Sequence, residues 1–185
     1  MGEVDKPKQF LTLGDKPILI QTVEKFYLNH RIDEVIVLCH KYWINHTKDL
    51  INEFIPNADN VTVVEGGELR NDTIMNAIAY IESEYDLTED DIIITHDSVR
   101  PFVTHRIIME NIEKTEEVGA CDTVIPATDT IVVSEDKDKI SNIPNRDFMY
   151  QGQTPQTFKI LKLKECFNNL SEEEKSTLSD ARSEE

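Results

Sequence analysis

Nothing in this chain is apolar for long enough to enter a membrane. A spanning helix needs about 20 apolar residues, and the apolar runs here, such as Val35–Cys39 and Ile92–Ile94, are of strand length. The first residues also lack a signal-peptide core, so the reading is cytosolic. Cysteine is scarce: Cys39, Cys121 and Cys166 are odd in number, widely spaced and without a C-x-x-C pair. That excludes a disulfide framework and suggests no zinc site, leaving the three as buried fillers. Positive charge is scarce as well. Against 36 Asp and Glu stand 19 Lys and Arg, a net charge of −17. Such a chain is not expected to bind a nucleic-acid backbone or an anionic membrane, and any phosphate site must be built locally. Repeats, low-complexity segments and interdomain linkers are absent.

What is present is the composition of one folded domain. The 185 residues, 39% hydrophobic and 30% charged, suffice for a single core and are read as one domain over 1–185. Ile18, Leu19, Val23, Phe26 and Tyr27 make a helical stripe opened by Pro17. Val35–Cys39 is too short for a helix and rich in β-branched residues, which predicts a strand buried on both faces. The alternation then repeats. A helix over about 42–54, a strand at Val61–Val64, a helix over about 71–81, a strand at Asp91–Thr95, a helix over about 105–118 and a strand at Thr123–Ile125 follow. Right-handed crossovers between such elements give an α/β, Rossmann-like and mainly parallel sheet with helices on both faces. Two short β-like pieces, Thr130–Val133 and Ile140–Ile143, flank the charged turn Ser134–Lys139. They predict a hairpin arm at about 130–158. The chain closes on a solvated acidic end with Glu172, Glu173, Glu174, Asp180, Glu184 and Glu185.

In an open α/β sheet, ligands bind beyond the carboxyl ends of the strands. After Val61–Val64 comes Glu65-Gly66-Gly67-Glu68-Leu69-Arg70-Asn71-Asp72-Thr73. Its glycines permit close backbone approach to a ligand, and the next helix offers N–H groups to an anion. The same letters also spell a plain glycine turn with Asp72 or Thr73 as helix cap. After Asp91–Thr95 comes His96-Asp97-Ser98-Val99-Arg100-Pro101. An acid at a strand end supplies hard oxygen for Mg²⁺ and the arginine a planar fork for phosphate; the alternative is an Asp97–Arg100 ion pair that closes the loop. His96 reads as a hydrogen-bonded structural histidine.

Taken in order, Pro7-Lys8-Gln9, Gly66-Gly67-x-x-Arg70-x-x-Thr73, His96-Asp97-x-x-Arg100-Pro101, Asp129-Thr130 and Thr154-Pro155-Gln156 resemble the IspD/TarI family of sugar-alcohol-phosphate cytidylyltransferases. The resemblance runs from about Gly2 to Ala181. It implies transfer of CMP from CTP to a polyol phosphate, with Mg²⁺, in a homodimer whose arms help form the partner's polyol site. The wording His96-Asp97-Ser98-Val99-Arg100-Pro101-Phe102 and Tyr150-Gln151-Gly152-Gln153-Thr154-Pro155-Gln156 is more similar to ribitol-5-phosphate enzymes, which serve teichoic acid synthesis, than to methylerythritol-phosphate ones. By the same resemblance Lys8 contacts the reacting phosphates, Asp97 the metal, and Arg100, Thr130, Arg146 and Thr154 the polyol phosphate. Gly66, Gly67, Glu68, Arg70 and Thr73 form the nucleotide site. A phosphate monoester with a second pKa near about 6 is largely dianionic at neutral pH, so no general base is required. Cationic stabilisation and in-line positioning are.

Two family elements do not appear. Members begin with a buried strand and a glycine-rich loop, roughly A-G-G-x-G-x-R-M-G, where this chain has Met1-Gly2. Beyond Ser179-Asp180-Ala181 the expected N-x-K-V-T-x-P strand is also missing. The sequence therefore reads as truncated at both ends, with little CMP transfer expected of it as it stands, or as an inactive remnant. A phosphoacceptor domain using Asp97 is disfavoured, because no paired acids follow the first strand.

Overall fold

Residues 6–171 are described by the structure, a computed structural model; Met1-Gly2 and the acidic end over 172–185 lie outside them. A 3₁₀ turn at Lys8–Phe10 leads into a tiny antiparallel pair, β1 (Thr12–Leu13) and β2 (Lys16–Pro17). Pro17 then caps α1 (Ile18–Tyr27). Leu19, Ile20, Val23 and Phe26 fall on one face of α1 and are buried, each worth about 1.5–3 kcal/mol on transfer out of water. α1 serves two cores. Leu19, Ile20 and Val23 join Phe10, Val37, Ile51 and Ile55, whereas Phe26 joins Val103, Ile108 and Ile112.

β3 (Val35–Cys39) and β4 (Val61–Glu65) pair in parallel, joined by α2 (Ile44–Phe54). Then come α3 (Arg70–Glu84), β5 (Ile92–Thr95), α4 (His105–Val118) and β6 (Ala120–Pro126). Thr104 caps the start of α4 with its side chain, and Gly119 ends it at φ 90°, a left-handed conformation that favours glycine. The chain finishes the described region with β7 (Tyr150–Lys159) and α5 (Ile160–Asn168).

The α/β class is the one expected, with helices alternating with strands, but the strand pairing corrects three expectations. β7 lies antiparallel between β5 and β6, so among the described strands only the β3–β4 ladder is parallel. Much of the segment read as the end of the arm is therefore a sheet strand. Its sequence, Tyr-Gln-Gly-Gln-Thr-Pro-Gln-Thr-Phe-Lys, has no apolar alternation, because backbone ladders on both sides and a polar network hold it. Asn111 donates to Thr123 Oγ1 at 2.9 Å and accepts from Thr157 Oγ1 at 3.2 Å, while Thr123 Oγ1 donates to the Pro155 carbonyl at 2.8 Å. Second, β3 is buried fully only at Val37, since among the described strands it pairs along one edge alone. Third, the arm's two β-like pieces reduce to one bridge between Val133 and Asn142. Its charged turn is closed by Asp136, whose carboxylate accepts from the Asp138 and Lys139 amides. The cysteines divide: Cys39 and Cys121 are half-buried, but Cys166, on α5, is exposed.

Candidate active site

Three chain crossings meet at the end of β5. The first is the β4–α3 turn. The Gly66 amide donates to the Cys39 carbonyl at 2.9 Å, and the Gly67 amide to Thr73 Oγ1 at 3.0 Å. Thr73 Oγ1 donates in turn to the Leu69 carbonyl at 3.0 Å, and the Asp72 carboxylate accepts from the Leu69 amide at 3.3 Å. Asp72 and Thr73 thus close the turn, as the plain-turn alternative requires. Both glycine amides are engaged within the protein. Gly67 is needed for its own neighbours: a Cβ there would meet Asp72 Cβ at 2.3 Å, whereas one at Gly66 would find its nearest atom at 3.4 Å. The turn delivers Arg70 as the first residue of α3.

The second crossing is the loop after β5. Arg70 Nη1 donates to Asp97 Oδ1 at 2.9 Å, and Arg100 Nε donates to Asp97 Oδ2 at 2.9 Å. One carboxylate thus holds two guanidiniums. Burial pushes the Asp97 carboxyl up, but the hydrogen bond and charge of Arg70, joined by those of Arg100, outweigh it and hold the group below the usual carboxylate range. The loop backbone is pinned as well. Arg100 N–H donates to the Asp97 carbonyl at 3.0 Å, and Thr22 Oγ1 of α1 donates to the Ser98 carbonyl at 2.9 Å. His96 is the structural histidine expected: its Nε2 lies 3.0 Å from the Arg100 carbonyl and its ring packs on Phe26. With that nitrogen donating, Nδ1 is left bare and buried, and burial lowers the imidazole pKa.

The third crossing is β7. Gln153 Oε1 accepts from Arg100 Nη1 at 2.6 Å, and Thr154 Oγ1 accepts from the Asp97 amide at 3.4 Å. Gly66, Gly67, Arg70, Thr73, Asp97, Arg100 and Thr154 therefore converge. Glu68 is exposed beside them on the turn, and Lys8 is exposed on its 3₁₀ turn. Thr130 is exposed on the arm, where Arg146 Nη1 donates to the Thr128 carbonyl at 3.1 Å. Sequence reading passed over Thr22 and gave Gln153 no role of its own. Each works through a partner more than fifty positions away, which leaves no local pattern to find.

The Mg²⁺ expected at Asp97 does not fit the donors present. Both carboxylate oxygens accept from arginine, and among the described residues no group of three His, Cys, Asp or Glu is arranged to hold a metal. What the cluster offers is cationic N–H: Asp97 and Gln153 take up only part of the five donors on each guanidinium, and a guanidinium suits phosphate oxygens.

An α/β fold with a cationic cluster and a glycine turn gathered at its strand ends can receive the phosphates of a nucleotide, and the comparisons with known proteins give the class, a nucleotidyltransferase. Residues 1–184 match the model of the family described as IspD, 2-C-methyl-D-erythritol 4-phosphate cytidylyltransferase. The chain belongs to this family of CTP-dependent cytidylyltransferases. Among solved structures, it is similar to the Francisella tularensis 2-C-methyl-D-erythritol 4-phosphate cytidylyltransferase, with 29% identity and a TM-score of 0.72 over 90% of this chain and 72% of that one. The Anaerococcus prevotii 4-diphosphocytidyl-2C-methyl-D-erythritol synthase shares the fold at 23% identity and a TM-score of 0.74, covering 88% and 73% of the two chains. The Thermus thermophilus 2-C-methyl-D-erythritol 4-phosphate cytidylyltransferase does so at 24% and 0.63, covering 95% and 78%. No helix among the described residues is long and apolar enough to cross a membrane.

Proposed function

We propose that the chain transfers CMP from CTP to the phosphate of an acyclic polyol monophosphate and releases pyrophosphate. The observation that carries this reading is the pair of guanidiniums gathered on Asp97 beside the β4–α3 turn, a local cationic site on a chain of net charge −17. In the reaction the acceptor's dianionic phosphate attacks the α-phosphorus of CTP. A new oxygen–phosphorus bond forms as the bond to pyrophosphate breaks. No side chain has to remove a proton, so the protein's work is to hold anions in line and offset their charge. Arg100 holds the acceptor phosphate, with Thr154 beside it and Thr130 and Arg146 contributed by the arm. Gly66, Gly67, Glu68 and Thr73 form the cytidine side, and Lys8 addresses the reacting phosphates. Mg²⁺ belongs in this reading with the triphosphate of CTP rather than on a protein-held site.

2-C-Methyl-D-erythritol 4-phosphate is the acceptor that the family model and the similar structures support. A second reading, ribitol 5-phosphate, is favoured by the wording of residues 96–102 and 150–156. Pyrophosphate release from CTP, run with each acceptor in parallel, decides between them: the true acceptor gives the higher kcat/KM, and release with neither overturns the reading. We also propose a homodimer joined through the arm, in a cytosolic setting. Ile140, Ile143, Phe148 and Tyr150 are all more than half exposed, a concentration of apolar surface that a second copy would cover.

A further inference from the structure

The loop that carries Asp97 and Arg100 is fixed almost everywhere by its main chain. The Asp97 amide faces Thr154, its carbonyl accepts from the Arg100 amide, the Ser98 carbonyl is held by Thr22 and the Arg100 carbonyl by His96. What the main chain leaves to the acid is its side-chain torsions, and the last of them, rotation of the carboxylate, has a broad, shallow profile. Arg70 removes it. By gripping Oδ1, it turns Oδ2 toward Arg100 Nε, and Gln153 fixes the other end of that guanidinium. Arg70 is itself set by the turn in which Gly67, Asp72 and Thr73 lock together.

We propose that Arg70 and Asp97 are positioning residues: Arg70, acting through the Asp97 carboxylate, sets the orientation of Arg100, so that the cytidine turn and the acceptor-phosphate site are mechanically one unit. This rests on the reading of Arg100 as the acceptor-phosphate ligand. It reassigns Arg70 from nucleotide contact, and Asp97 from metal ligand, to the alignment of a cation.

The test is made on the full chain labelled with ¹⁵N-arginine, with Arg70→Met and the conservative Arg70→Lys as variants. The Arg100 Nε–H signal should exchange slowly with water in the parent chain and about tenfold faster or more in Arg70→Met, the signature of a lost local restraint. Arg70→Lys should recover part of that protection, since it returns a charge without the fork. Unchanged protection in Arg70→Met overturns the coupling. Broadening of the Arg100 signal by Mn²⁺ without nucleotide would show a metal on Asp97 and overturn the reassignment. Kinetics supply the functional arm: Arg70→Met should lower kcat or raise the acceptor KM, with the CTP KM within about twofold. Combined with Arg100→Met it should add little, because the two act as a unit. A raised CTP KM alone would make Arg70 a nucleotide contact. Loss of protection with unaltered kinetics would refute the catalytic role while leaving the mechanical link, and that outcome is distinct from a parent chain that transfers CMP to neither acceptor.

Discussion

Replacing Gly67 with alanine should cost this protein more than replacing its neighbour Gly66, although neither residue has a positive φ. The added methyl at 67 would lie 2.3 Å from Asp72 Cβ, 2.7 Å from the Asp72 carbonyl carbon and 2.8 Å from the Thr73 nitrogen. Carbon atoms in contact sit about 3.5–4.0 Å apart, so the first turn of α3 must retreat by about 1 Å. Two of the three obstructing atoms are backbone, and no rotamer change relieves them. Overpacking of this kind costs about 1–3 kcal/mol. The retreat also strains the Gly67–Thr73 and Leu69–Asp72 hydrogen bonds, worth about 0.5–1.5 kcal/mol each. Against this stands a gain of about 0.4–1 kcal/mol from the less flexible unfolded chain. The net loss is about 2–3 kcal/mol, which at about 2–4 °C per kcal/mol for a chain of this size lowers Tm by roughly 4–12 °C. At Gly66 the closest approach is 3.4 Å, to the Thr73 hydroxyl, and Tm should move by no more than about 3 °C. Differential scanning calorimetry of both variants measures the difference. Equal shifts, or a Gly67→Ala variant as stable as the parent, would show that the glycine is there for a ligand and not for the turn.

Asn111→Leu keeps the branched shape of a buried side chain but leaves the Thr157 hydroxyl without its acceptor, while Thr123 keeps its bond to the Pro155 carbonyl; a loss of about 1–3 kcal/mol for the stranded group should lower the urea midpoint, and an unchanged midpoint would remove the network from the account of β7. His96 is held neutral by burial, facing Phe26, Asp97, Arg100 and Arg70. Its folded-state pKa is lowered, so its contribution is complete above the ordinary value near 6.5 and lost as pH falls from there toward the folded value, where the unfolded chain takes up a proton that the native one refuses. Urea titrations at several pH values should show this decline shrinking in His96→Phe; an identical decline would place its origin elsewhere. Phe148→Glu puts charge on an apolar arm residue that is 75% exposed and should convert the proposed dimer to monomers in sedimentation at micromolar concentration. A parent chain already monomeric there would refute the dimer.

The elements that residue pattern revealed are those whose pattern is made by burial. α4 announces itself at His105–Val118 because Ile108 and Ile112 must face a core, and β3 and β4 do so because β-branched residues cluster in runs of strand length. β7 is the counterexample. A strand flanked on both sides satisfies its main chain in ladders, and its inward side chain Thr157, like Thr123 of the neighbouring β6, meets an asparagine instead of a leucine. Burial there is polar and fully bonded, and it leaves no hydrophobic period to count. The arm differs in the opposite sense: Ile131, Val132 and Val133 look like strand, but among the described residues their pairing is one antiparallel bridge, from Val133 to Asn142.

The site was legible as a place and only partly as a mechanism. Rules about strand ends brought Gly66–Thr73 and Asp97–Arg100 to one edge, and the structure brings them together. Whether Asp97 serves a metal or an arginine is a different matter, because an acid next to a cation at a strand end suits both, and spacing within the loop is the same either way. The deciding residue is Arg70, 27 positions earlier. A single Arg100–Asp97 pair would leave one carboxylate oxygen uncommitted and open to a cation. With Arg70 on that oxygen, the acid is neutralised on both sides, the cluster carries a net positive charge, and an anion becomes its natural ligand. The same contact explains why a glycine is required three residues before Arg70, since only the tight packing of Gly67 against Asp72 and Thr73 starts α3 where its first side chain reaches the end of β5.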